Sequence, residues 1–118
     1  MQLEELKRLV IEAMEEIKAE DIKVIEVSEL TSITDLMIIA SGRSTRQVRA
    51  IADNVIEKVK HAGIIPIGVE GQQPGDWVLV DLADIVVHVM MPEIRDFYNL
   101  EKLWSVEPGV GNKGSQKS

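Results

Sequence analysis

"DWVLVDLADIVVHVMM", residues 76–91, is the stretch on which the fold turns. Apolar residues fill it almost without a break, and the valines and isoleucine that dominate it suit pleated strands better than a helix. It reads as two strands hinged at "DLAD". With Leu82 and Ala83 as a two-residue turn, Asp81 meets Asp84, Leu79 meets Val86 and Trp77 meets His88. Alternation then puts Val78, Val80, Ile85, Val87 and Val89 on one face. The other face carries Trp77, Leu79, Asp81, Asp84, Val86, His88 and Met90. The first set is wholly aliphatic and asks for helices above it. The register has a strain of its own, because Asp81 opposite Asp84 is repulsive and Leu-Ala lacks the positive-φ residues such turns prefer. A slip of one residue would exchange the faces of one strand.

Working outward, the chain supplies those helices. Leu3, Leu6, Val10, Ala13, Met14 and Ile17 recur at helical spacing, giving a first helix that ends before Asp21. Ile22–Val27 reads as a short strand, and Asp35–Ser41 ("DLMIIAS") as a buried one. Ser44 with Gln47 has the form of a capping box. Val48, Ile51, Ala52, Val55, Ile56, Val59 and Ala62 then make one apolar stripe, with Gly63 placed for the stop. "IIPIGVEG" supplies a strand whose Pro66 suits an edge, and "GQQPGD" a turn. Pro92 opens a short terminal helix.

The order is helix, two strands, helix, three strands, short helix. That predicts an α/β (α+β) fold: a five-stranded mixed sheet with the two main helices on one face and the other face bare. Residues 1–106 form a single domain, and 107–118 read as a disordered polar tail. All four of the chain's Trp, Tyr and Phe residues fall between Trp77 and Trp104. A Trp, Leu, Val and Met cluster rimmed by Asp and His has the anatomy of an interface. Two readings of the face stand: a partner covers it, or the terminal helix bearing Phe97, Tyr98, Leu100, Leu103 and Trp104 folds back over it.

Composition narrows the classes. The net charge is −7, from 20 acidic and 13 basic residues, which disfavours direct nucleic-acid binding and favours basic partners. No cysteine is present, so disulfide, thiol and thiolate-metal chemistry are excluded. The N-terminal segment is amphipathic and acidic, unlike an export signal, and no apolar stretch is long enough for a bilayer. The expectation is a soluble cytoplasmic protein with no membrane association.

Catalytic patterns are mostly missing. "ASGRSTRQ" between a strand and a helix suggests a phosphate turn, but it has one Gly and no following Lys-Ser/Thr. Arg43, Arg46 and Arg49 read as a solvated helix face. A two-carboxylate metal site needs Asp-x-Asp on one strand, and no such pair exists; Asp81 and Asp84 straddle a turn. His61 and His88 are too dispersed for zinc, and Ser41 and Ser44 lack a neighbouring base in sequence. No enzyme, cofactor or metal is expected.

The motifs "TDLMIIASG.S.RQV", "G..P.GVEG", "DWVLVDLADIVVHVM" and "FYNLEKLW" together closely resemble the ribosomal silencing factor, or Iojap, family over about Asp21 to Trp104. The resemblance implies a nucleotidyltransferase-like fold without that class's catalytic residues. It also implies binding to a basic large-subunit ribosomal protein, the one numbered fourteen. Docking there would sterically block joining of the ribosomal subunits and repress translation under nutrient limitation. Homodimers through related sheet surfaces are implied as well. Carried over by position, Trp77 matches the family tryptophan at the ribosomal-protein contact, and Glu70, Asp76, Leu79, Asp81, His88 and Met90 lie in the same motif block. Ala83 departs from the Gly common in "DLGD". The alternative is a nucleotidyltransferase-like nucleotide-binding enzyme, against which the missing carboxylate pair speaks.

Overall fold

In the computed structural model, residues 1–104 are described, the side chains of Leu103 and Trp104 excepted. Helix α1 (Leu3–Glu16) leads into β1 (Glu20–Glu26) and β2 (Leu36–Ser41), followed by α2 (Thr45–His61). Then come β3 (Gly68–Glu70), β4 (Trp77–Asp81) and β5 (Ile85–Met90), and two short helices, α3 (Pro92–Tyr98) and α4 (Leu100–Trp104). The five strands form one mixed sheet in the order β1-β2-β5-β4-β3. Only β2 and β5 run parallel; the other neighbours are antiparallel. The expected fold class is the one observed.

Every residue of β2 is buried, which explains why "LMIIAS" reads as a continuous apolar run. Its alternate residues serve two cores. Leu36, Ile38 and Ala40 join the helix-side core, where Leu6, Val10, Ala13 and Met14 of α1 and Val48, Ile51, Ala52, Val55 and Val59 of α2 pack over Val78, Val80, Ile85, Val87 and Val89. Met37 and Ile39 point the other way and join Val27 and Met90 in a smaller core. The aliphatic set chosen by alternation thus lies beneath the helices as expected.

The hairpin corrects the expected register. Asp81 faces Val86, Leu79 faces His88 and Trp77 faces Met90. The turn residues are Ala83 and Asp84 rather than Leu82 and Ala83, since the Leu82 N–H donates to the Ile85 carbonyl at 2.8 Å. The cause is burial. Leu82 is only 4% exposed and belongs to the helix-side core, so a turn centred on it would put that side chain in water. The shift is two residues in register, so the faces survive. It also removes the Asp81–Asp84 opposition, and the Asp81 carboxylate instead accepts the Ala83 N–H at 2.9 Å. Ala83 sits at φ +74, the left-handed region that Gly adopts without cost.

The bare face is a second correction. The expected single terminal helix breaks at Asn99, in the left-handed conformation, and α3–α4 cover part of the sheet. Ile94 and Leu100 pack on the smaller core, while Phe97 and Tyr98 turn outward. The expected tail, 107–118, lies outside the described residues.

Gln47 joins the two main helices. Its N–H is capped by Ser44 Oγ at 3.1 Å, and its own Oε1 accepts the Arg43 N–H at 2.7 Å. Its Nε2 reaches the carbonyls of Ile17 and Lys18 at 3.1 and 3.2 Å, at the end of α1. Removing three part-exposed side-chain bonds by Gln47→Ala is expected to cost about 1–2 kcal/mol. Urea unfolding of the variant against wild type measures this.

Candidate functional site

The strand registers arrange the non-helix face in rows. One row runs Trp77, Met90, Ser41. The next runs Glu70, Leu79, His88, Ile39, Lys23. The third runs Asp81, Val86, Met37, Ile25. Helices α3 and α4 shelter the β1–β2 side of these rows, and among the described residues the β3–β4 side is left open.

A buried clasp fixes where the cover stops. Arg95, 7% exposed, donates from Nη1 to Ser41 Oγ at 2.8 Å and from Nε to Glu101 Oε1 at 2.7 Å. The other Glu101 oxygen lies 3.3 Å from Lys23 Nζ. The hydrogen bond from Arg95 is the main reason the Glu101 carboxyl is held below the usual carboxylate range. Charge-assisted bonds of this kind compensate a guanidinium for the water it loses. Nothing in the sequence marks Arg95 as buried.

On the open side stands the aromatic strip. Trp77 is half-buried, and its indole N–H donates to His88 Nδ1 at 3.0 Å. Its ring lies 5.0 Å from Tyr98, which lies 5.0 Å edge-on to Phe97. Phe97 is 80% exposed. The loop before β4 is moulded to the start of that strand: Gly71, at φ +85, approaches so closely that an added Cβ would lie 2.0 Å from the Trp77 carbonyl oxygen. Beyond His88 opens a small cleft lined by Val27, Thr34, Met37, Val86 and His88.

The predicted residues separate into surface and support. Glu70 and Asp76 are exposed, and Trp77, Leu79 and Asp81 are half-buried on or beside the open face. His88 is mostly covered. Met90 is fully buried in the smaller core, so it supports the indole from beneath and presents nothing outward. Sequence reasoning missed Val27, Thr34 and Met37, because only the β1–β2 connection and the parallel pairing bring them beside His88.

The candidate nucleophiles have structural employment. Ser41 is buried under Arg95, and Ser44 caps α2. Among the described residues no group of three His, Asp or Glu side chains is placed to hold a metal. No helix there is long and apolar enough to cross a membrane. The arrangement offers shape, aromatic surface and negative charge.

The whole chain, residues 1–118, matches the family described as ribosomal silencing factor during starvation. The chain belongs to the ribosomal silencing factor family. The ribosomal silencing factor of Chromobacterium violaceum is 50% identical over 104 residues, covering 88% of this chain and 85% of that one. A mouse protein named for mitochondrial assembly of the ribosomal large subunit is 35% identical, over 83% of this chain and 44% of its own length. A crystal structure of a Chromobacterium violaceum protein superposes with a TM-score of 0.87 at 45% identity, covering 98% of each chain.

Burial holds His88 neutral, lowering its pKa from 6.5 to about 4. The indole N–H bond also favours the neutral ring, since Nδ1 must be free to accept. Between those two values the unfolded chain takes up a proton that the folded chain refuses. Stability from this residue is therefore complete above about pH 6.5 and is lost as pH falls toward 4. From pH 7 to pH 5 the expected loss is about 2 kcal/mol. Urea unfolding at the two pH values should show it in wild type, and His88→Gln should abolish that share of the difference.

Proposed function

We propose that this protein is a translational repressor that binds the large ribosomal subunit through a basic ribosomal protein, the one numbered fourteen. By occupying the surface that meets the small subunit it blocks joining of the two, lowering translation under nutrient limitation in the cytoplasm. The observation that carries this reading is the open sheet face: a half-exposed tryptophan continued by exposed Tyr98 and Phe97, with Glu70, Asp76 and Asp81 about it. Aromatic anchors with a charged rim are the usual composition of a protein-binding hot spot. Family membership supports a silencing role on the ribosome, and the mouse relative's name points to the large subunit.

Inhibition of this kind requires affinity and bulk rather than chemistry. A 13.2 kDa body seated between two subunits excludes the contacts that join them. The negative rim accelerates encounter with a basic partner and makes binding sensitive to salt. Self-association through the same face is a separate outcome, read from concentration-dependent sedimentation.

Sucrose gradients of isolated subunits mixed with the protein test the reading. Wild type should reduce joined ribosomes, and Trp77→Ala should lose most of that effect, with an affinity loss on the order of 2 kcal/mol or more. A folded Trp77→Ala variant that inhibits as well as wild type overturns the proposed face. Glu70→Lys, an exposed change on the rim, should weaken binding at low salt and flatten its salt dependence.

A further inference from the structure

His88 has one polar group that the fold leaves unused. Its Nδ1 accepts the Trp77 indole N–H, and an indole can only donate, so Nδ1 bears no proton. The neutral ring must then carry its proton on Nε2. That donor has no hydrogen-bond partner among the described residues, although His88 is only 7% exposed. A buried donor without an acceptor is costly, which makes the position a place for an incoming oxygen.

The adjoining cleft has a volume of about 100 Å³, and its walls are Val27, Thr34, Met37, Val86 and His88. Only Thr34 and His88 bring polar atoms to these walls, so they offer an ordered water few partners. The end of an aliphatic side chain suits it better. Carboxylates adjoin the lining: Asp35 follows Thr34 in the chain, and Asp81 faces Val86 across the hairpin. The Asp84 carbonyl accepts the N–H groups of Asp35 and Leu36, which draws the hairpin turn to the same end. The lining holds no Lys or Arg.

We propose that this cleft is the anchoring pocket for a basic protein segment. An aliphatic side chain flanked by Lys or Arg enters it, the segment's main-chain carbonyl accepts the His88 Nε2–H, and the flanking cations meet Asp35, Asp81 and Asp84. The inference rests on the large-subunit reading and adds which part of the face holds the partner and by which contacts. A second copy of this chain fits poorly, because it would bring a chain of charge −7 onto a cleft already rimmed by carboxylates. A neutral imidazole matters here as well, since an imidazolium would repel the cations beside it.

Cosedimentation with salt-washed large ribosomal subunits tests it, using two cleft-filling variants, Thr34→Phe and Val86→Phe, beside Thr34→Val and Trp77→Ala. Each filler whose melting temperature matches wild type should bind on the order of tenfold more weakly or worse, while Thr34→Val, which keeps the volume, binds as wild type does. If one filler fails to fold, the other decides. A folded filler that binds normally, with Trp77→Ala defective, overturns the cleft and leaves the larger reading standing. Failure of wild type itself to pellet with the subunits overturns both. Fillers that spare subunit binding but abolish self-association identify a second copy as occupant and likewise overturn the proposal.

Discussion

The parallel pairing of β2 with β5 is the constraint on which the rest depends. Parallel neighbours need a long crossover, and here α2, β3 and β4 all lie within it. The crossover puts α2 over one face beside α1, so that face is sealed by aliphatic packing. The same pairing sets Met37 beside Val86 and Ile39 beside His88, and so builds the floor of the opposite face. With both long helices committed to one side, the short α3 and α4 are what remains for the other among the described residues. They are too short to cover five strands, and the open area is what is left.

Much of this was legible because it follows from periodicity. The two long helices, the buried run of β2 and the two faces of the hairpin all come from spacing of apolar residues, which a sequence displays directly. The face assignment held even though the register did not, because the true pairing differs by an even number of residues. What set the register was the burial of Leu82, a tertiary fact that turn propensity does not contain. Ala83 is the price of that arrangement, held at a φ usually left to Gly.

Of the candidate site, the face was legible in the sequence and the depth of each residue was not. Trp77 is marked in the sequence by its rarity and by Asp76 beside it. Alternation and the shared motif block both put Met90 on the same surface, but they give a side and not an exposure, and Ile94 and Leu100 cover that side locally. Arg95 reads as an ordinary solvent-facing cation in a helix. Its partners, Ser41 and Glu101, are fifty-four and six residues away, and only folding brings the first into reach.

The Arg95 clasp has a kinetic corollary. Lifting α3 and α4 from the sheet would break the Arg95–Ser41 hydrogen bond and the Glu101–Lys23 ion pair and uncover Met90 together, so partial detachment is uphill. The aromatic strip, which straddles the joint between β4 and α3, shares that anchorage through the Trp77–Tyr98 ring contact. A partner docking here would have no loop to organise and no helix to recruit, so its residence time would be set by the contacts themselves rather than by coupled ordering.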